Sequence, residues 1–539
     1  MRIVLAGALL AVLLLVTACA PGSPGRSDGD VPAAAPAPAP APLRLVQGPM
    51  PLTPSELDGD GIKVATFLGD AHRRTYGRGP VPERLDLIWK ARIGTGSTTG
   101  LGGVIVQWSG TGWTGQPTLV REDGRDYLLI GGYDHNLRKI DAQTGEEVWT
   151  YEFPDVIKGT NTVFAPPGTA SDPSSYIVVA GSRRGIGVPA GAASIAPFRG
   201  VSYASGEELW RHPVPRTRSY SQDVDASALY VHGRLYAAVE SGYVYALEPT
   251  ATVEWDGNRR PGVIARSAEL YTAQDIQRHG GNLVLESSPA ISGKTLYVAA
   301  GSGHVYGLDL DDLSIVWDFY IGSDLDGTVA VTTDGHLLVP VEKQYISGPG
   351  GVYKLDPTKP PSEAVMWYFP TEDRGIGEWQ GGVIGSVAID DATDPNHARP
   401  PLAVFNSVDG RLYVVSQDLV DGTTIGPNRE PDLPRPVLVH RQDVGGSIST
   451  PIIIGDSIVT AGYDGKVRVL KIISQPAKES ETGDGVLLRA RDGSWHVVSV
   501  AEVASFTGGG SYESTPLVWE GRIYIGSRDG FLYCLGVAE

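Results

Sequence analysis

The chain has 539 residues, a formal net charge of −18, 41% hydrophobic residues and two cysteines. So acidic a balance excludes a nucleic-acid-binding protein, which needs a basic stripe, and two cysteines exclude a disulfide-stapled fold. Length alone would allow about three domains at roughly 150 residues each, but an internal repeat argues for one large unit.

Residues 1–18 join Arg2 to the apolar run IVLAGALLAVLLLV and a small-residue stretch ending at Ala18. This is the pattern of a secretory signal rather than of a fold element. Val16-Thr17-Ala18-Cys19 resembles the bacterial lipoprotein cleavage box, whose cysteine is lipid-modified and becomes the first residue. A diacylglyceryl thioether with an added N-acyl chain meets the two-signal requirement for stable anchoring. No later apolar run approaches the roughly 20 residues of a transmembrane helix. Cys534, in the strand FLYCLG, is then left without a disulfide partner and reads as a small core residue. Residues 19–42 hold the lipidated cysteine and an Ala/Pro-rich spacer, APAPAPAP, that favours extended polyproline geometry and cannot build a core.

Residues 43–86 form an entry segment and residues 87–539 the repeat domain. Asp58-Gly59-Asp60-Gly61 has the look of a calcium loop, but its glycine comes too early and position twelve is Gly69 instead of Glu, so it reads as a turn. Gly25-Arg26-Ser27-Asp28-Gly29 satisfies G-x-S-x-G inside the spacer, where no strand-to-helix elbow can form.

The repeat is clearest in ESSPAISGKTLYVAAGSGHVYGLDLDDLSIVW, Glu286 to Trp317. A short β-prone start, an apolar strand, a Ser-Gly hairpin, an alternating strand and an acidic turn into a Trp strand make four antiparallel strands. A sheet apolar on both faces needs neighbours, so such units stack around an axis. The fold class is therefore all-β: an eight-bladed β-propeller of four-stranded antiparallel blades. Trp89, Trp149, Trp210, Trp255, Trp317 and Trp367 mark successive outer strands, and VLVHRQDVG around His440 fills the same slot. An eighth outer strand lies in GVLLRARDGSWHVVSVAEV with its register open. Turn pairs at Asp134-His135, Ser241-Gly242, Ser302-Gly303, Asp409-Gly410, Asp464-Gly465 and Asp529-Gly530, with insertions at Ser182–Arg199 and Lys343–Gly351, give the same count. The chain ends one strand short of a blade, and LDLIWKARIG has no blade before it. Leu87 to Gly94 is thus expected to complete the last blade and close the ring.

KIDAQTGEEVW, SYASGEELW and GLDLDDLSIVW resemble the quinoprotein-type repeat of pyrroloquinoline quinone (PQQ) dehydrogenases and of BamB-like propeller lipoproteins, which are not enzymes; FLGDAHRRTYGRGPVPERLDLIW resembles their entry segment. The resemblance implies the fold over about Phe67 to Gly536. It implies function poorly, because Gly145, Gly206 and the tryptophans do turn and packing work. A dehydrogenase would imply PQQ and calcium; the adjacent cysteine pair of many quinoprotein alcohol dehydrogenases is absent here, though glucose-type relatives lack it too. No cofactor residue can be carried over, and the ten histidines form no zinc pattern.

Immediately before the inner strands stand SYSQDVDAS, VLESSPA, GSDLDGTVA, EWQGGVIGS, GGSISTP and SYESTP. These junctions converge on one mouth of a propeller channel, where Asp223, Asp225, Glu286, Asp324, Asp326, Glu378 and Glu513 would form a ring with Trp379 as a stacking surface. Crowded carboxylates are tolerated when solvated, protonated or neutralised by a cation; the same residues could equally be exposed turn caps. Five segments, Thr160–Ser175, Ser182–Arg199, Asp390–Pro401, Asp418–Pro436 and Ser474–Gly485, read as long loops able to carry specificity.

The chain thus reads as an exported monomeric scaffold, lipid-anchored through Cys19 to the outer face of the cell membrane or to another envelope membrane, binding an envelope protein or a small ligand. The alternatives are a PQQ-dependent dehydrogenase and a carbohydrate- or cation-binding envelope sensor.

Overall fold

Strands form where the repeat alternates apolar residues between tight turns. In the unit that starts at Glu286 they are Ala290–Ser292, Thr295–Ala299, His304–Asp309 and Ile315–Tyr320, hydrogen-bonded in chain order. The two middle strands are buried almost throughout because both sheet faces are covered. Gly303, at φ +87, takes the left-handed position of the Ser-Gly turn that most side chains would strain.

The computed structural model describes residues 61–100, 103–189, 192–390, 399–479 and 483–538, all within the compact unit Leu43–Glu539. The signal segment, Cys19, the spacer and the turn at Asp58 lie outside the described residues. Among the described residues there are eight larger sheets, five of four strands and three of five, beside one two-stranded hairpin, making a multi-bladed β-propeller. We number the blades by their inner strands: Thr118–Glu122 (blade 1), Thr162–Phe164 (2), Leu229–Val231 (3), Ala290–Ser292 (4), Ala330–Val331 (5), Ala388–Ile389 (6), Ile452–Ile454 (7) and Leu517–Trp519 (8).

Each pair of neighbouring blades shares a core. Val163 and Val178 of blade 2 pack with Val120 and Leu129 of blade 1, and Leu517, Leu532 and Cys534 of blade 8 pack with Leu119 and Ile130 of blade 1. The outer-strand tryptophans dock on the following blade. Trp89 Nε1 donates to Ala142 O at 3.2 Å, Trp149 to Tyr203 O at 2.9 Å, Trp317 to Lys359 O at 3.1 Å and Trp367 to Gln417 O at 2.8 Å. The turn glycines make room for them: a Cβ on Gly145 would lie 2.7 Å from the Trp89 ring, and one on Gly206 2.9 Å from that of Trp149. At the inner edge, hydroxyls just before the inner strands accept from the neighbouring backbone. Ser227 N donates to Ser288 Oγ, Ser288 N to Thr328 Oγ1, Thr328 N to Ser386 Oγ and Ser386 N to Thr450 Oγ1, at 2.8 to 3.0 Å.

The ring closes through the N-terminal strand. Asp86–Arg92 pairs antiparallel with Phe531–Gly536, with Leu87 opposite Leu535 and Lys90 opposite Tyr533. The segment before it was expected only to lead into the ring, but residues 61–78 run around the channel wall and satisfy the inner-strand edges in turn. Leu68 N donates to Gln116 Oε1 (blade 1), Val163 N to Ala65 O (2), Thr66 Oγ1 to Ala228 O (3), Ile291 N to Ala71 O (4), Val331 N to His72 O (5) and Ile389 N to Tyr76 Oη (6). Gly77–Arg78 then adds a parallel strand to blade 8. Arg73, fully buried, fixes this segment by donating to Pro289 O, Phe67 O, Ser227 O and Thr66 Oγ1. With Phe67 and Leu68 fully buried inside the ring, the channel is filled beneath its mouth.

Some strands differ from expectation. Trp255 is not in an outer strand: it ends the third strand of blade 3, Tyr243–Trp255, opposite Asn258. Asp256 and Gly257 both have positive φ and turn the chain there, so the outer strand is Asn258–Arg266. The segment Asp418–Pro436, expected as a loop, largely prolongs strands, Arg411–Thr424 pairing with Leu433–Asp443, whereas of Ser474–Gly485 only the first four residues do, at the end of Lys466–Ala477, which pairs with Trp495–Thr507. The last pairing sets the open register, with Val469 opposite Ala504. A hairpin, Thr95–Thr99 with Ile105–Ser109, and a helix, Ala273–His279, are additions that the repeat pattern did not reveal.

Candidate functional site

Two registers of the blade supply the mouth. The first lies four residues before each inner strand and holds Lys158, Asp225, Glu286, Asp326, Ile384, Ile448 and Glu513. The second is the residue directly before the turn pair of the middle hairpin, and holds Tyr133, Glu240, Gly301, Val408, Tyr463 and Arg528; Glu342 follows the second strand of blade 5 in the same way. Each register repeats with the blades, so the side chains come together around one cavity. Its deep lobe has about 300 Å³ and is lined by Glu286, Asp326 and Glu342 on one side and by Trp113, Ile384 and Ile448 on the other. A wider lobe of about 930 Å³, sharing Lys158, Tyr220 and Glu286, opens between the 95–109 hairpin and the Ser182–Arg199 insertion.

Asp223, Asp225, Glu286, Asp324, Asp326 and Glu513 are buried or half-buried here. Glu378 is exposed and reaches only the outer lobe; Trp379 is half-buried against the apolar wall, its ring 6.4 Å from that of Tyr463. Glu513 is neutralised, accepting from Arg528 Nη1 at 2.7 Å and Tyr463 Oη at 3.1 Å. Lys158, Arg183, Glu240, Asn282 and Glu342 were not expected from the sequence, nor were Arg528 and the apolar wall of Trp113, Ile384 and Ile448. Glu240 and Glu342 could have been found by asking what precedes each middle hairpin.

Two groups of carboxylates have ligand atoms within 4.8 Å of one another: Asp225, Glu240 and Glu286, and Asp324, Asp326 and Glu342. In the first, Lys158 Nζ contacts Asp225 and stands 3.9 Å from Glu286, while Arg183 Nε meets the neighbouring Asp223 at 2.9 Å. Burial would discharge Lys158, but Asp225, Glu286 and Glu240 hold its pKa well above the ordinary value. In the second, the described residues provide no ion pair; Asn282 Nδ2 donates to Asp324 Oδ2 at 2.5 Å. Burial, reinforced by Glu342, pushes Asp324 up to about 8, and burial with Asp326 pushes Glu342 up to about 9. Asp326 and Glu240 are raised well above ordinary carboxylates, again first by burial. Glu286 rises to about 7 because burial outweighs Lys158. All of the ligand atoms are oxygens, the donor set of hard cations and of ammonium or guanidinium groups.

Comparison with known proteins bears on the fold. Residues 196–359 match the family model described as outer membrane protein assembly factor BamB. Among solved structures, BamB from Moraxella catarrhalis is 15% identical over 84% of this chain and 100% of its own, with a TM-score of 0.47. The quinohemoprotein alcohol dehydrogenase from Comamonas testosteroni is 13% identical over 90% of this chain and 82% of its own, with a TM-score of 0.51. A europium-containing methanol dehydrogenase is 11% identical over 88% and 98%, also at 0.51. No curated protein matches the chain. Identities so low speak to architecture alone, and with the ring of sheets they make this chain a multi-bladed β-propeller, in which residues 196–359 carry the PQQ-like repeat.

Proposed function

We propose that this chain is a non-catalytic binding scaffold of the cell envelope, exported and lipid-anchored through Cys19, whose channel mouth holds a cationic group of its ligand or partner. The observation that carries the reading is Glu240. It is only 2% exposed, and its Oε1 has no hydrogen-bond partner, although it faces a cavity crowded with other carboxylates. An uncompensated buried carboxylate costs several kcal/mol unless it is protonated or a cation arrives.

The same mouth does not fit PQQ. That cofactor carries three carboxylates and needs cations around it, whereas Lys158 and Arg183 are both already held by aspartates, Arg184 stands only in the outer lobe, and two carboxylate groups crowd the mouth. Calcium fits the oxygen donors and stands as one candidate occupant.

The test uses full-length protein extracted from membranes, dialysed with PQQ and calcium and then assayed for retained absorbance and for dye reduction with alcohols and sugars. Neither signal is expected, while Cys19→Ser should move the protein from the membrane to the soluble fraction. Retained quinone with turnover would replace this reading by the dehydrogenase.

A further inference from the structure

The chain contains its own comparison for the second carboxylate group. Blade 3 carries Asp223, Asp225 and Glu240; blade 5 carries Asp324, Asp326 and Glu342 at the same positions relative to its inner strand and middle hairpin. The blade preceding blade 3 answers its set with an ammonium and a guanidinium, Lys158 from the junction and Arg183 from the hairpin insertion. The blade preceding blade 5 has Glu286 where Lys158 stands and a plain Ser302-Gly303 hairpin where the Arg183 insertion stands. In one copy of the motif two of the three carboxylates, Asp223 and Asp225, are ion-paired from within; among the described residues none of the three in its duplicate is.

The second copy also shows unmet demand for a donor. Asp324 Oδ1 and Asn282 Oδ1 are buried acceptors without a hydrogen-bond partner, in residues each 7% exposed. Both face the bare backbone of Gly301, where an added Cβ would lie 2.8 Å from Asn282 Oδ1 and 3.0 Å from Asp324 Oδ1. Opposite stands the apolar wall of Trp113, Ile384 and Ile448. A bare metal ion would use the carboxylates and leave that wall in contact with water; a cation with an apolar body uses both.

We propose that the blade 5 group binds an organic cation, an ammonium or guanidinium compound whose charged end is held by Asp324, Asp326 and Glu342 and whose hydrocarbon lies on the apolar wall. This rests on the reading of the mouth as a cation-binding site and names the class of its ligand. The charged end takes the part that Lys158 and Arg183 play in blade 3, and charge-assisted hydrogen bonds to buried carboxylates supply the affinity.

The test is calorimetric titration of the detergent-solubilised full-length chain with agmatine, calcium chloride and PQQ in turn, repeated with Glu342→Gln and Gly301→Ala. The first variant removes a charge. The second keeps every carboxylate and fills the space beside Asp324. Agmatine should bind the parent chain, and each variant should weaken it roughly tenfold or more. Agmatine binding untouched by both variants would place the ligand elsewhere and overturn the assignment. Calcium without agmatine would overturn the ligand class and leave the cation-binding mouth standing. Binding of none of the probes would remove both, and retention of PQQ would overturn the scaffold reading itself.

Discussion

Glu342 shows what a single buried carboxyl does to the molecule's response to acid. Facing it are Asp324 and Asp326 of its own blade, Glu286 of blade 4, Asn282 and Gln344, with Tyr220, Tyr345 and Lys158 beyond. Its pKa in the folded chain is about 9, and that of Asp324 about 8, against the ordinary value near 4 in an unfolded one. Between those limits the folded protein holds protons that the unfolded chain has released, so stability falls as pH rises. Thermal unfolding without ligand should therefore show a midpoint that drops from pH 5 to pH 9. Glu342→Gln, neutral at every pH, should flatten that slope; an unchanged slope would show that these carboxyls ionise freely in the folded state. Its role is not legible in the sequence, for a physical reason. The position before the middle hairpin packs into the channel rather than into the blade, so it carries Tyr133, Gly301, Val408 or Arg528 as readily as Glu, and no periodicity marks it.

At the scale of one element, the turn of blade 1 that receives Trp89 is held by fit rather than by propensity. Gly145 has φ +78, and its Cα stands where any Cβ would enter the Trp89 ring. Gly145→Ala should cost roughly 2–4 kcal/mol, the sum of a left-handed alanine and an overpacked contact, read as a lower urea midpoint with an unchanged m-value. A cost below 1 kcal/mol would mean that the ring shifts freely and the docking carries little. This element was legible: an apolar strand ending in Trp and a turn ending in Gly recur because each blade must key into the next. Trp255 shows the limit of that signal. Asp256-Gly257 follows it directly, and the local preference of Asp-Gly for a hairpin turn outranks the spacing of tryptophans.

At the scale of the whole molecule, closure depends on residues 61–92, which precede the repeats and were legible only in part. The pairing of Asp86–Arg92 with the last strand followed from counting strands, because an incomplete blade and an unattached Trp strand leave two open edges. The course of residues 61–78 did not, since hydrogen bonds to seven different blades, most of them through backbone groups, leave no trace in side-chain periodicity. A chain beginning at Ile93 loses both devices at once. It exposes the edge of Phe531–Gly536 and the inner-strand groups that Ala65, Ala71 and His72 now satisfy, and it empties the channel of Phe67, Leu68 and Arg73. Such a chain should elute as an expanded or associated species and unfold without a single sharp transition. A separate peptide of residues 61–92, added in excess during refolding, should restore the compact form, because its contacts are made with preformed strand edges. Cooperative unfolding of the truncated chain at the parental midpoint would show that core packing between blades 8 and 1 closes the ring unaided, and the N-terminal segment would then be only a lining of the channel floor.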